Sequence, residues 1–119
     1  MLVTIYHNAR CSTSRKTLDL IRGAGIEPVV IDYLASPPSR ERLRELLQGA
    51  GLTPRDAIRR KEALFTELGL DAAGVDDERL LDAMLAHPRL IERPFVVSPL
   101  GVRLGRPPER VLEILPPSR

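Results

Sequence analysis

The sequence predicts an α/β fold: a mixed four-stranded sheet, built from one β-α-β unit and a closing β-β-α unit, with a helical subdomain inserted between them. Three observations predict it. Short β-branched apolar runs stand near both ends of the chain, helical periodicity joins the first two of them, and the region from about residue 35 to about 90 is almost entirely helical in pattern. The chain of 119 residues is long enough for one compact domain with a small insertion, not for two independent cores. The expectation is therefore a single domain over 1–119 with a helical insertion at about 35–90.

Leu2 to Tyr6 (LVTIY) is apolar and β-branched and stops at the polar His7-Asn8, which predicts a buried first strand. From Ser12 to Ala24, Leu18, Ile21 and Ala24 recur at helical spacing, Leu20 widens the stripe, and Gly23 and Gly25 supply stop signals. Glu27 to Tyr33 centres on Val29-Val30-Ile31 and predicts a second strand, parallel to the first because a helix joins them. Pro37-Pro38-Ser39 then breaks the pattern. Ser39 caps a helix whose core face is Leu43, Leu46, Leu47 and Ala50, ending at Gly51. Thr53-Pro54 starts a short helix, Glu62 to Gly69 reads as another, and Asp76 caps a further one with Leu80, Leu81, Met84 and Leu85 inward. Phe95 to Ser98 and Val102 to Gly105 flank the turn Pro99-Leu100-Gly101 as an antiparallel pair. A closing helix is expected from Pro108 to about Leu115, with Val111, Leu112 and Leu115 facing inward. With the middle helices set aside, this is the element order of a thioredoxin-like fold.

Composition removes several function classes. A single cysteine, Cys11, excludes an internal disulfide and any metal site built on two or more thiolates. A lone thiol favours a reducing setting, there is no opening signal segment, and no apolar run approaches the ~18 residues of a membrane span, so a cytoplasmic protein is expected. The net charge is only +2. Of eighteen basic residues all but Lys16 and Lys61 are arginine, and the four aromatics are scattered, so nothing resembles a stacking, basic nucleic-acid surface. Asp76, Asp77 and Glu78 open a helix, where negative charge suits the dipole, and no metal is expected there. His87, before Pro88 at a helix end, is expected to cap carbonyls or face solvent.

The chemistry gathers at Cys11, which follows a strand and opens a helix. Unsatisfied N–H groups and the helix dipole there favour thiolate over thiol. Ser12, Thr13 and Ser14 add hydroxyls, and Arg10, Arg15 and His7 are expected to add positive charge. The stretch His7 to Arg15 is too polar to be core, which argues against an inert buried thiol. A phosphatase loop needs arginine six positions after the cysteine, where Thr17 stands, and a dithiol motif needs a thiol where Ser14 stands. A monothiol nucleophile remains, acting on an oxyanion, a disulfide, or an acyl or phosphoryl centre, with an external thiol to resolve any intermediate. Arg93-Pro94, before a strand, is where a thioredoxin-like fold sets a cis-proline loop facing the active cysteine, and Arg106-Pro107 ends the neighbouring strand. Two such arginines can grip a tetrahedral anion bidentately.

YHNARCSTSR (Tyr6 to Arg15), PPSR (Pro37 to Arg40), PRDAIRRKE followed by LGL (Pro54 to Leu70), HPRLIERPFVVSPLGVRLGRP (His87 to Pro107) and PERVLEIL (Pro108 to Leu115) resemble the glutaredoxin-coupled arsenate reductases, in the same order along essentially the whole chain. GRPPERVLEI (Gly105 to Ile114) is most like the shorter members of that family. The resemblance implies that Cys11 attacks arsenate, that His7 and Ser14 promote its thiolate, and that Arg59, Arg93 and Arg106 hold the oxyanion. It chooses Arg59 over Arg60 because Pro54-Arg55-Asp56 fixes the register. It further implies glutathione as reducing cosubstrate, glutaredoxin as partner, no tightly bound cofactor and no metal. The alternatives are a glutathione-dependent thiol oxidoreductase acting on another substrate, and a non-enzymatic module binding a transcription or redox partner.

Overall fold

The computed structural model describes residues 2–117; Met1, Ser118 and Arg119 lie outside the described residues. Two compact units emerge. One runs to Ser36 and resumes at Arg93, and the other is Pro37–Glu92.

The first unit holds the sheet, in the order β2-β1-β3-β4. Strand β1 (Thr4–His7) pairs parallel with β2 (Val29–Asp32) and antiparallel with β3 (Phe95–Ser98), and β3 pairs antiparallel with β4 (Gly101–Leu104). This is the thioredoxin-like mixed sheet that the element order predicted. Helix α1 (Ser12–Gly23) joins the parallel pair. Its Leu18 and Ile21 pack with Val3, Ile5 and Val96 of the sheet and with Val111 and Ile114 from the end of the chain. Central β1 is buried along most of its length, whereas β2 lies at an edge, with Val29 and Val30 largely exposed despite their apolar run.

Two local expectations are corrected in this unit. The stripe of α1 that faces the sheet is Ser14, Thr17, Leu18 and Ile21, so two polar residues occupy buried positions and Ala24 falls outside the helix. The closing segment Pro108–Ile114 is a 3-10 helix, not an α-helix. Three residues per turn place Val111 and Ile114 above one another on the buried side and turn Leu112 to solvent at 50% exposure, while Leu115 is partly buried against the same core.

The second unit contains α2 (Arg40–Ala50), α3 (Pro54–Ala57), α4 (Ala63–Glu67), α5 (Asp77–Ala86) and a 3-10 turn at Pro88–Leu90. The local stop and start signals act as read. Ser39 accepts from the Arg42 N–H, Thr53 and Asp56 form a capping box, Asp76 accepts from the Arg79 N–H, and Gly51 ends α2 at φ +71°. Leu43, Leu46, Leu47, Leu80, Leu81 and Met84 are buried, whereas Leu85 is only partly so. Arg40 and Arg44 on α2 pair with Glu78 and Asp82 on α5 at the surface. Such exposed pairs contribute at most about 1 kcal/mol each. A single antiparallel bridge, Ile58 to Ile91, ties the segment after α3 to the segment that leads into Arg93. His87 ends α5, its N–H donating to the Ala83 carbonyl.

Gly105, just past β4, is closely packed against α1 and Pro94. A Cβ there would stand 2.8 Å from Thr17 Oγ1 and 3.1 Å from Pro94 Cγ. Thr17 cannot swing aside freely, because its hydroxyl donates to the Thr13 carbonyl at 2.8 Å. The Gly105 N–H meanwhile donates to the Pro94 carbonyl at 2.8 Å. Gly105→Ala is therefore expected to lower stability by about 1–3 kcal/mol, as overpacking does. Urea unfolding of the two proteins measures it, and equal midpoints would show that the neighbours give way without cost.

Candidate active site

Strand β1 delivers His7 and Asn8 to the rim of the sheet, and a tight turn then carries the chain into α1. The Asn8 carbonyl accepts from the Cys11 N–H at 3.0 Å, and the Asn8 side-chain oxygen accepts from the Arg10 N–H at 2.9 Å. This turn sets Cys11 at the N-cap of α1 with extended backbone angles, φ −92° and ψ 120°. Its side chain is half-buried and its thiol is free.

Several groups act on that sulfur. Burial pushes the Cys11 thiol up, but the Ser14 N–H, a hydrogen bond from Arg93, the charge of Arg93 and the Thr13 N–H together outweigh it and hold the pKa below that of an ordinary thiol. The two backbone donors are orphan N–H groups of the first helical turn, which lack intrahelical partners. Arg93 comes from the opposite end of the unit. It is 9% exposed and joined to Pro94 by a cis peptide bond, as the cis-proline loop predicted. The Arg106–Pro107 bond is cis as well. Arg106 Nη1 donates to the Arg93 carbonyl at 3.1 Å, so the Arg106 side chain reaches the backbone of the loop that carries Arg93.

His7 plays a different part from the one expected of it. Burial lowers its pKa, Arg22 and Arg15 lower it further, and Asp32 opposes them. Held below the ordinary imidazole value, His7 favours its neutral form, contrary to the expectation that it brings positive charge to Cys11. Its link to the site is structural. His7 Nδ1 lies 2.7 Å from Ser14 Oγ, which also accepts from the Asn8 N–H at 3.1 Å, and both side chains are buried. The Ser14 hydroxyl can donate to the neutral imidazole while its oxygen serves Asn8. That arrangement anchors the helix turn whose N–H groups face the sulfur. The polar residues on the buried stripe of α1 thus have a purpose that apolar periodicity could not register.

Arg59 stands in the other unit. Its Nη1 pairs with Glu92 Oε1 at 3.0 Å, its Nε lies 3.9 Å from Glu62 Oε1, and its backbone N–H donates to the Leu90 carbonyl at 2.7 Å. Arg60, the neighbour set aside on register, is exposed and donates to the Arg55 carbonyl at 3.4 Å. Arg15 is exposed and donates to the Ala9 carbonyl at 2.9 Å, and Arg10 is exposed. The guanidinium that lowers the Cys11 pKa is that of Arg93 and not, as expected, that of Arg10 or Arg15. Among the described residues no cluster of His, Cys, Asp and Glu suits a metal ion, and no helix is long and apolar enough to cross a membrane.

Two outcomes follow from this electrostatics. Arg93→Gln should raise the Cys11 pKa more than His7→Ala, because the first removes a charge and a hydrogen bond to sulfur and the second removes a neutral group. The rate of iodoacetamide alkylation against pH reads both, and a larger shift in His7→Ala would overturn the assignment. The lowered His7 pKa also makes stability depend on pH. Between the folded pKa and about 6.5 the unfolded chain binds more protons, so stability rises with pH across that window and is lost on acidification. His7→Ala should lose less stability than the parent chain between about pH 7 and pH 5, as measured by urea unfolding at each pH.

Comparison with known proteins agrees with this geometry. The model of the ArsC family matches residues 6–114. The chain is 62% identical over 116 residues to the arsenate reductase of Rhizobium meliloti (strain 1021), an alignment that spans 98% of this chain and 83% of that protein. It is 47% identical over 114 residues to the uncharacterized protein YfgD of Escherichia coli (strain K12), spanning 95% of this chain and 96% of that one. The solved structure of an arsenate reductase from Vibrio cholerae superposes with a TM-score of 0.92 at 52% identity, covering 97% of this chain and 98% of that one. With a family match over nearly all its length, relatives of this identity and a thioredoxin-like sheet that carries the cysteine and the cis-proline arginine to one place, the chain belongs to the ArsC family.

Proposed function

We propose that this protein is an arsenate reductase that draws its electrons from glutathione and glutaredoxin. The observation that carries the reading is the pairing of a thiol of lowered pKa, at the N-cap position of α1, with Arg93, in a chain that holds no second cysteine. A thiolate beside a guanidinium suits attack on a tetrahedral oxyanion, because the cation that stabilises the nucleophile can also neutralise the incoming charge.

In the first step the Cys11 sulfur bonds to arsenic and one arsenate oxygen leaves as water after protonation. Arsenic remains As(V). Glutathione then bonds to arsenic through its sulfur, and a second oxygen leaves as water. The glutaredoxin thiolate attacks the glutathione sulfur. The arsenic–sulfur bond breaks with its electron pair on arsenic, which becomes As(III), and glutaredoxin carries away glutathione as a mixed disulfide. Water finally displaces Cys11 and arsenite leaves. Two external thiols are oxidised and one arsenic is reduced by two electrons. A single protein thiol suffices for this sequence, whereas a relay through several cysteines of one chain is closed to it.

Each site residue takes a role in this reading. Cys11 is the nucleophile. Ser14 and His7 hold the turn that supplies N–H donors to it, Arg93 and Arg106 bind the oxyanion, and Arg59 joins them on the strength of the family resemblance. The reducing cosubstrates place the reaction in the cytoplasm.

Arsenate-dependent NADPH oxidation in the presence of glutathione, glutathione reductase and glutaredoxin tests the proposal. Turnover is expected with all components and none with Cys11→Ser, whose neutral hydroxyl is a far weaker nucleophile. Arg93→Lys and Arg106→Lys should each lower kcat/KM by about 10²-fold, since an ammonium cannot reproduce a planar two-donor fork. Full activity in Cys11→Ser, or equal rates without glutaredoxin, would overturn the corresponding part of the reading.

A further inference from the structure

Two cations beside the nucleophile have no task in the reaction as written. Arg10 precedes Cys11 directly and Arg15 lies one helical turn beyond it, and both are exposed. The thiolate draws its support from Arg93 and from backbone N–H groups instead. The Arg15 guanidinium is pinned over the turn by its bond to the Ala9 carbonyl, a neutral acceptor that leaves its charge uncompensated. The Arg10 side chain has neither a hydrogen bond nor an ion pair among the described residues; only its backbone N–H is engaged.

No acidic residue near this pair forms an ion pair with it among the described residues. The first turn of α1 contains none, and Asp19, four residues beyond Arg15 on the same helix, forms no ion pair with it among the described residues. Asp32, opposite His7 on β2, accepts from the Leu34 and Ala35 N–H groups, and Glu27 is paired with Arg22. Two exposed guanidinia on the segment that carries Cys11 therefore make no ion pair among the described residues.

We propose that Arg10 and Arg15 are the docking surface for the small anionic thiol that attacks the Cys11-bound species, a peptide thiol with two carboxylates such as glutathione. The inference rests on the reading under Proposed function. Each guanidinium can take one carboxylate in a forked hydrogen bond, which leaves the thiol free to reach the reacting centre. The pair also raises the local concentration of anions before contact. A protein partner requires about 800 Å² on each side, and two side chains on one turn cannot supply that, so the patch fits the small thiol.

The test compares reagents of one chemistry and different charge, with Arg10→Gln, Arg15→Gln and the double variant beside the parent chain. Cys11 is alkylated by iodoacetate, an anion, and by neutral iodoacetamide, and in both cases sulfur displaces iodide. It also attacks glutathione disulfide, which is anionic, and cystamine, which is cationic; each reaction forms a mixed disulfide and expels one thiolate. The iodoacetate to iodoacetamide rate ratio should fall about three- to tenfold in the double variant, and the glutathione disulfide to cystamine ratio should fall further. Both effects should shrink as salt is added. In the coupled assay KM for glutathione should rise by a similar factor. Arg10→Gln keeps the test decisive if Arg15→Gln loosens the turn, since the Arg10 side chain holds nothing in place. Unchanged ratios, or a raised KM for glutaredoxin with that for glutathione unaltered, would overturn the proposal. If the parent chain shows no arsenate turnover, the reading of the reaction fails while the reagent ratios still decide whether this surface selects anionic thiols.

Discussion

The structure of the site depends on one bond between the two ends of the sheet unit: the hydrogen bond from Arg93 to the sulfur of Cys11. A half-buried thiol is by itself a poor nucleophile, because burial favours the neutral form. Backbone N–H groups at the start of α1 counter that, but they come with any helix. Arg93 is the specific element, since it brings a full charge and a directed donor. It can do so only because β3 pairs antiparallel with β1 and begins beside the point where β1 ends. The central strand pairing is thus a chemical requirement as much as a structural one.

Other features serve to keep that arrangement in place. Gly105 lets the end of β4 approach α1 and Pro94 closely, and its N–H holds the Pro94 carbonyl. The Arg106 guanidinium donates to the Arg93 carbonyl. Ser14 and His7 meanwhile lock the first turn of α1 to the end of β1. The nucleophile therefore sits between two braced segments, one made of buried polar side chains and one of a loop held by main-chain bonds. A neutral His7 suits this better than a charged one, because an imidazolium would add an uncompensated charge near Arg15 and Arg22.

What could be read from the sequence follows the range of each interaction. Caps at Ser39, Thr53 and Asp76 involve residues three apart and were legible from side-chain chemistry alone. The strands and their mixed pairing followed from β-branched runs and from the helix that joins the first two. Periodicity misjudged α1 because Ser14 and Thr17 are buried by virtue of their hydrogen bonds, which an apolar count does not see. It misjudged the closing segment because a period of three and one of 3.6 diverge little over seven residues, though enough to turn Leu112 outward. Val29 and Val30 read as interior, yet the edge position of β2 exposes them, and strand order is not written in a local run.

Charge was the least legible property. Arg10 and Arg15 are the cations closest to Cys11 in the sequence, and His7 adds a third titratable group, yet the guanidinium that lowers the thiol's pKa is that of Arg93, far along the chain. Neighbours in sequence near a helix start point outward as readily as inward, and water screens an exposed guanidinium, whereas one at 9% exposure keeps most of its field. The same physics gives the exposed pair its own use. A screened charge contributes little to the stability of a thiolate, but it still acts on anions arriving from solvent, where screening is incomplete within about 8–10 Å. One arginine inside and two outside thus divide the work around a single sulfur: the inner one makes it reactive, and the outer ones select what reacts with it.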